Sequence, residues 1–318
     1  MKVLITGSGG FIGSHLGALL KSRGHCVYGI DSDFAEVPDW LKMARRKHSG
    51  VEPLRCDIRD KFELASTMIS LAPDVVVHLA AKPGVAGAES NTEIYDAVNV
   101  TGVENLLYAC RQAKVRRVVH ASSSSVYGDV AGPVSEKADL RPVGRYGRTK
   151  VRGEELLEAA SKSGDISALI LRPFTVVGPL GRPDMAAWRF AEILFSGKPV
   201  TVHEGAGRDF TAVADVAAAF ALAAEASVEG CSAINIGSGN PRSAIELAQS
   251  ISAGLGVECR MALAPLPRYM PTSTHADVSR AREMLGWEPK VTFADGLSEF
   301  IRWFVSANPD IAVKSIDS

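Results

Sequence analysis

Tyr146 and Lys150 stand four residues apart in the run Tyr146-Gly147-Arg148-Thr149-Lys150. On a helix that spacing puts both side chains on one face. An ammonium beside a phenol favours the phenolate and lowers a pKa that is about 10 when unperturbed. Such a pair can take a proton from a substrate hydroxyl near neutral pH. Upstream, Ser122, Ser123, Ser124 and Ser125 precede Val126-Tyr127-Gly128 and follow an apolar stretch at 116–121. Hydroxyls at the carboxyl end of a parallel strand face the ligand crevice of an open sheet; a plain serine-rich turn gives the same string.

A second chemical signal lies at the start of the chain. Lys2-Val3-Leu4-Ile5-Thr6 runs into glycines at Gly7, Gly10 and Gly13, with Phe11 and Ile12 between the last two. A strict G-x-G-x-x-G from Gly7 would need glycine where Ile12 stands, but both spacings serve the same physics. Glycines permit a tight turn and let backbone N–H groups approach a pyrophosphate at a helix N-terminus. Placed between a strand and a helix, the pattern predicts a dinucleotide site. Asp31 ends the second expected strand, 18 residues after Gly13. A carboxylate there suits the two ribose hydroxyls of NAD and repels a 2′-phosphate; a turn-capping role for Asp31, or a share of the work for Asp33, stays open. Asp57-Ile58, after the third strand, is placed to meet the adenine, and a helix N-cap near Asp57 or Asp60 is the equal alternative.

These groups need a scaffold. Apolar runs at 2–6, 26–30, 51–56, 74–79, 116–121 and 167–172 alternate with helical spacing at 11–22, 61–71, 92–113 and 145–163. Alternation of that kind predicts an α/β fold with a doubly wound parallel sheet (a Rossmann fold) covered on both faces. After residue 172 prolines cluster, and shorter strands near 200–202, 233–236 and 258–263 mix with helices at 183–196, 213–226, 243–254 and 293–306. The expected division is a dinucleotide-binding domain over 1–172 and a smaller α/β substrate-binding domain over 173–318, with the chain crossing between them.

Composition narrows the class. The 318 residues are 46% hydrophobic and 22% charged, with 35 basic and 36 acidic side chains. A general nucleic-acid binder needs an excess of positive charge, so no nucleic-acid partner is expected. The basic run Arg45-Arg46-Lys47-His48 reads as a solvated helix face. Five cysteines lack zinc or disulfide spacing, so no metal is expected and a reducing, cytoplasmic setting fits. No apolar stretch approaches the ~20 residues that cross a bilayer.

Taken together, Thr6 to Gly13, Asp31, Asp57-Ile58, His78-Leu79-Ala80-Ala81, Asn99, the serine cluster ending in Val126-Tyr127-Gly128, and Tyr146/Lys150 resemble an extended short-chain dehydrogenase/reductase of the NAD-dependent epimerase/dehydratase group. The resemblance covers almost the whole chain. It implies Tyr146, Lys150 and Ser123 as the catalytic set, and a cofactor site built from Gly7, Gly10, Phe11, Ile12, Gly13, Asp31, Asp57, Ile58, Leu79, Ala80, Ala81, Asn99, Tyr146 and Lys150. Dehydratases of the group carry Asp and Glu where this chain has Ser124 and Ser125, so elimination lacks its proton relay. The run Gly181-Arg182-Pro183-Asp184-Met185-Ala186, with Arg208-Asp209-Phe210-Thr211 and Ala276-Asp277-Val278, resembles the UDP-glucuronate 4-epimerases.

That resemblance implies inversion at C4 of a UDP-sugar through a 4-keto intermediate. Ser123, Ser124, Ser125, Thr175 and Arg182 would hold the sugar carboxylate, Arg208 the diphosphate, and Asp277 the UDP ribose. A 4-keto uronate is a β-keto acid, so fixing its carboxylate out of line with the carbonyl guards against loss of CO₂. Ala86, Val177 and the segment 271–275 depart from the usual pattern. The alternatives are 4-epimerisation of another nucleotide sugar such as UDP-glucose, a 4-ketoreductase, and a non-catalytic NAD-binding protein. Helices 92–113 and 145–163 are the faces through which relatives of this kind form homodimers.

Overall fold

The computed structural model describes residues 1–32, 37–84, 88–89, 91–267 and 270–308. Strands and helices alternate through the first half as β1 (Lys2–Thr6), α1 (Phe11–Ser22), β2 (Cys26–Asp31), α2 (Asp39–Ser49), β3 (Pro53–Arg55), α3 (Lys61–Leu71), β4 (Val75–His78), α4 (Thr92–Asp96), α5 (Gly102–Ala113), β5 (Arg117–Ala121), α6 (Arg145–Lys162) and β6 (Ser167–Pro173). The second half adds β7 (Thr175–Val177), α7 (Ala186–Phe195), β8 (Val200–His203), β9 (Gly207–Ala212), α8 (Val213–Glu225), β10 (Cys231–Ile236), β11 (Pro241–Ser243), α9 (Ala244–Leu255), β12 (Met261–Ala264), α10 (Ser279–Leu285) and α11 (Phe293–Ala307).

Seven strands form one parallel sheet in the order β10-β6-β5-β4-β1-β2-β3. Strand order reverses between β1 and β4, which opens a crevice at their carboxyl ends. Period-two alternation divides the core. Val3, Ile5, Val75, Val77, Val119, Leu169 and Leu171 pack with α1 and α8. Leu4, Val76, Val118, Ala168 and Ile170 pack with α3, α5 and α6 on the other face. The remaining strands build a three-stranded sheet, β11-β9-β7, and a β12-β8 pair. These share a third apolar cluster with α7, α9 and α11.

The helix expected over 92–113 is broken by a π-helical turn at Ala97–Thr101, which carries Asn99. Such turns interrupt the regular ladder and aim a side chain that a straight helix would not. The basic run on α2 is a solvated face only in part. Lys47 and His48 are exposed, but Arg45 is 2% exposed. Its guanidinium finds backbone carbonyls across the packed interface, which no charge pattern along one helix reveals.

Candidate active site

Side chains cap α3, α9 and α11: Asp60 accepts the Phe62 and Glu63 amides, Ser243 forms a capping box with Glu246, and Thr292 accepts from Asp295. At α1 the cap position is Gly10, and no side chain fills it. The first-turn amides therefore stay open to an anion. Gly7 adopts φ +69°, and a Cβ there would lie 2.8 Å from the Ala80 backbone. A Cβ on Gly13 would lie 2.3 Å from the Gly7 carbonyl oxygen. The turn is thus closed to any larger residue and pressed against Leu79-Ala80. Phe11 is buried and Ile12 half-buried behind it.

Asp31 stands at the end of β2 and accepts the Gly9 amide at 3.0 Å. Asp57 is not a helix cap; that position belongs to Asp60. Burial pushes the Asp57 carboxyl up, but bonds and charge from Arg59 outweigh it and hold the group below the usual carboxylate range. Ile58 is buried beside it. Asn99 Oδ1 accepts the Lys82 amide at 2.8 Å, and its Nδ2 donates to the Lys82 carbonyl at 3.0 Å and to Thr149 Oγ1 at 3.1 Å. It pins Lys82, just after Leu79–Ala81, to Thr149 of α6. The residues present fit a dinucleotide running from Asp31, over the glycine turn, to the mouth of β4.

Ser123 begins the short turn after β5, where its hydroxyl accepts the Ser125 amide and donates to the Ser125 hydroxyl, both at 3.1 Å. The α6 N-terminus presses on this turn; a Cβ on Gly147 would lie 2.5 Å from the Ser125 carbonyl oxygen. That close approach brings Tyr146 toward Ser123, whose hydroxyl acts to favour the phenolate. Tyr146 and Lys150 share a helix face as expected, but the lysine does not bond the phenol. Lys150 Nζ donates to the Ala121 carbonyl at 2.8 Å and lies 5.9 Å from the Tyr146 ring centre. The expected lowering of the phenol pKa is not met in this structure. Burial pushes the phenol above its ordinary value, against the pull of the Arg182 charge and the Ser123 hydroxyl. Burial also pushes Lys150 down to about 8, opposed by Glu154. Glu154 is held from β6 by Arg172, through Nε at 3.0 Å and Nη2 at 2.5 Å, and it accepts from Ser122.

Arg182 arrives from the loop after β7. Its Nε donates to Asp184 Oδ1 at 2.9 Å, and Nη2 bonds Oδ2. A Cβ on Gly84 would lie 3.6 Å from Arg182 Nη2, 3.6 Å from Tyr95 Oη and 3.7 Å from Asp184 Oδ2. Tyr95 packs edge-on against Tyr146 with ring centres 6.4 Å apart. Ser123, Ser125, Tyr146, Tyr95, Arg182 and Asp184 therefore converge. Ser124 lies in the same turn, and half-buried Thr175 opens β7.

Arg208 is placed in a different company. Its Nη1 donates to the Gly207 carbonyl at 2.6 Å and the Thr272 carbonyl at 3.4 Å. Asp129 is the acid nearest in effect, and it also accepts the Thr272 amide at 2.8 Å. The unusual segment 271–275 thus runs along β9, tied by Gly207 to Thr272 and by Asp209 to Thr274. Asp277 accepts the Ser279 amide at 2.9 Å, at the start of α10. Val177 is buried in the third apolar cluster. Ala86 and Asp33 lie outside the described residues.

Sequence reasoning missed Tyr95, Asp184, Glu154 and Arg45. Two carried a signal: Asp184 follows Arg182 by two residues, and Glu154 follows Lys150 by four, one helical turn on the same face. Tyr95 and Arg45 reach the site only through tertiary packing.

With this geometry in view, comparison with known proteins places the chain in a class. It belongs to the NAD dependent epimerase/dehydratase family, whose model matches residues 3–237. An uncharacterized UDP-glucose epimerase of Bacillus subtilis, YtcB, is 37% identical over 96% of this chain and 98% of its own. UDP-glucuronate 4-epimerase 4 of Arabidopsis thaliana is 35% identical over 96% of this chain and 76% of its own. The crystal structure of a Bacillus cereus UDP-glucuronic acid 4-epimerase, in complex with UDP-glucuronic acid and NAD, is similar with a TM-score of 0.89 and 35% identity, covering 96% of this chain and 99% of that one.

Proposed function

We propose that this chain is an NAD-dependent 4-epimerase of a UDP-sugar, interconverting UDP-glucuronate and UDP-galacturonate. The observation that carries the reading is that Arg182 Nη2 and Tyr95 Oη meet at Gly84 while Tyr95 packs edge-on against Tyr146, which brings a guanidinium fork to the neighbourhood of the proton-transfer group. A planar fork suits a planar carboxylate.

Residues Gly7 to Gly13, Asp31, Asp57-Ile58, Leu79 to Ala81, Asn99, Tyr146 and Lys150 would hold NAD. Bound there, NAD supplies a reversible acceptor for the C4 hydride. Tyr146 withdraws the C4 hydroxyl proton, with Ser123 on the facing turn beside it, and returns it after the 4-keto sugar has turned its other face. Lys150 brings a positive charge to the same helix face. Arg182, Thr175, Ser124 and Ser125 hold the carboxylate, and so resist loss of CO₂ from the keto acid. Arg208 offsets the diphosphate charge, and Asp277 takes the UDP ribose. The chain would act in the cytoplasm, consistent with five free cysteines. It would act as a homodimer, for which the exposed Phe62 beside Tyr108 of α5 offers uncovered aromatic surface.

A second reading, epimerisation of UDP-glucose, is favoured by the description of the Bacillus subtilis relative and by Asp184, which already engages the Arg182 fork. Incubation of the purified protein with UDP-glucuronate and, separately, with UDP-glucose decides between them. UDP-galacturonate from the first supports the main reading. A UDP-pentose or no product from UDP-glucuronate, with UDP-galactose from UDP-glucose, overturns it. No helix among the described residues is long and apolar enough to cross a membrane.

A further inference from the structure

Arg45 is among the largest fully buried side chains, yet it is charged and sits far along the sequence from Tyr146 and Arg182. From α2 it reaches the loop that follows β7. Its Nε donates to the Leu180 carbonyl and its Nη2 to the Gly181 carbonyl, both at 3.0 Å. Those two carbonyls immediately precede Arg182. The loop is not a relaxed one: Leu180 has φ +62°, a left-handed conformation unusual for a side chain of its kind, and Gly178 has φ +152°. A conformation of that sort persists only where its surroundings over-determine it. Arg45 supplies two of the constraints. His15 of α1 supplies another, through Nε2 at 3.0 Å from the Pro179 carbonyl, and its ring packs 4.5 Å from His48 of α2.

The charges acting on Arg45 also mark its position. They are Arg182, which opposes its charge, and Asp31 and Asp184, which favour it. A bare carbonyl acceptor would be satisfied by any donor of suitable length. A planar cation bonded through two donors fixes both loop carbonyls at once, on the residues just before Arg182.

We propose that Arg45 is a positioning residue: by clamping the Leu180 and Gly181 carbonyls it sets where Arg182 presents its guanidinium, and so governs selection of a carboxylate-bearing sugar over a neutral one. This rests on the reading of the site as a UDP-uronate 4-epimerase. A residue that merely supports the fold would lower activity on both sugars together and lower the melting temperature with it. A residue acting through Arg182 moves the uronate alone.

The test uses the NAD-loaded protein, with UDP-glucuronate and UDP-glucose as probes. Arg45→Lys keeps the charge and loses the fork; Arg45→Gln keeps a donor and loses the charge. For both, KM for UDP-glucuronate and its calorimetric Kd are expected to rise about tenfold or more, with kcat and the UDP-glucose KM shifting by less than about threefold. In an Arg182→Ala background, read by calorimetry, adding Arg45→Lys is expected to change Kd by less than about threefold, because the two act as one unit. Equal losses on both sugars, full additivity with Arg182→Ala, an unchanged uronate Kd, or loss of bound NAD together with the melting transition would each overturn the proposal. Wild-type protein that neither binds nor converts UDP-glucuronate overturns the substrate reading and this inference with it. Wild-type protein that does both, beside variants indistinguishable from it, overturns this inference alone.

Discussion

The Lys150 ammonium donates to the Ala121 carbonyl at 2.8 Å, so a helix residue closes the carboxyl end of β5. This contact buries a cation whose pKa falls to about 8, through desolvation that Glu154 only partly offsets. Between pH 8 and about 10 the unfolded chain holds the lysine proton and the folded chain releases it, so this group makes stability rise with pH across that window. Its penalty is fully present below pH 8. Urea unfolding of wild type and Lys150→Met should therefore differ by an amount that changes on the order of 3 kcal/mol as pH climbs through the window, in favour of wild type. A flat difference would remove the desolvated ammonium from the account.

Tyr146→Phe should lower kcat by at least about 10²-fold, the usual worth of a positioned general acid–base group. The ring that packs edge-on against Tyr95 is retained, so melting temperature and bound NAD should stay near wild type. Turnover by the variant at the wild-type rate would move the proton-transfer role elsewhere.

Gly13→Ala should abolish retention of NAD while leaving a folded protein. The added methyl would fall 2.3 Å from the Gly7 carbonyl oxygen and 2.9 Å from Ser8 Cα, so the turn must open. Absorbance of the purified variant, after denaturation to release nucleotide, measures the outcome.

Acid sensitivity follows from two histidines stacked under the crevice. His78 and His120 have ring centres 5.3 Å apart and are 1% and 2% exposed. His78 bonds Thr6 through Nδ1 at 2.7 Å, whereas its Nε2 and both nitrogens of His120 have no partner among the described residues. Burial and the Lys150 charge push His78 down to about 3, and His120 falls well below its ordinary value for the same reasons. Below pH 6.5 the unfolded chain takes up protons that the folded chain refuses, so stability is lost as pH falls. Each histidine contributes a slope of about 1.4 kcal/mol per pH unit between roughly pH 6 and 4. His120→Phe should flatten the measured slope by one such share.

Glu154→Ala should cost about 3–5 kcal/mol, because it leaves the Arg172 guanidinium buried without its counter-charge. Chemical unfolding of the variant gives the number directly. A loss below about 1 kcal/mol would mean that Tyr127, whose hydroxyl accepts from Arg172 Nη1 at 2.8 Å, suffices to hold the cation.

Much of this molecule is legible in its amino-acid order, for reasons that differ by region. The buried strands are runs such as Val75-Val76-Val77, whose apolar character has one explanation in a sheet covered on both faces, and they appear at β4, β5 and β6 close to the expected bounds. Helix α2 is legible only at its basic run, and its bounds are not, because its apolar positions are few and its charges many. The π turn at Asn99 escaped because a one-residue change of winding leaves the apolar spacing nearly intact. Within the candidate site, the Tyr146/Lys150 pair is readable from local spacing, whereas Ser123 stands out from its serine neighbours only through the family resemblance. The Arg182–Asp184 fork is local too, but its meeting with Tyr95 takes place at Gly84, about a hundred residues before the fork in sequence. Arg45 shows the limit most clearly: four basic residues in a row look alike until packing buries one of them.

Strand β10 has a consequence for how the polypeptide can be divided. Residues 231–236 lie along β6 at one margin of the seven-stranded sheet, and α8 shields the face beside it. A fragment ending near 172 would leave β6 with an unsatisfied hydrogen-bonding edge and a bare apolar flank, the template on which chains stick to one another. A cut at 172 would thus divide one sheet and one apolar core rather than separate two.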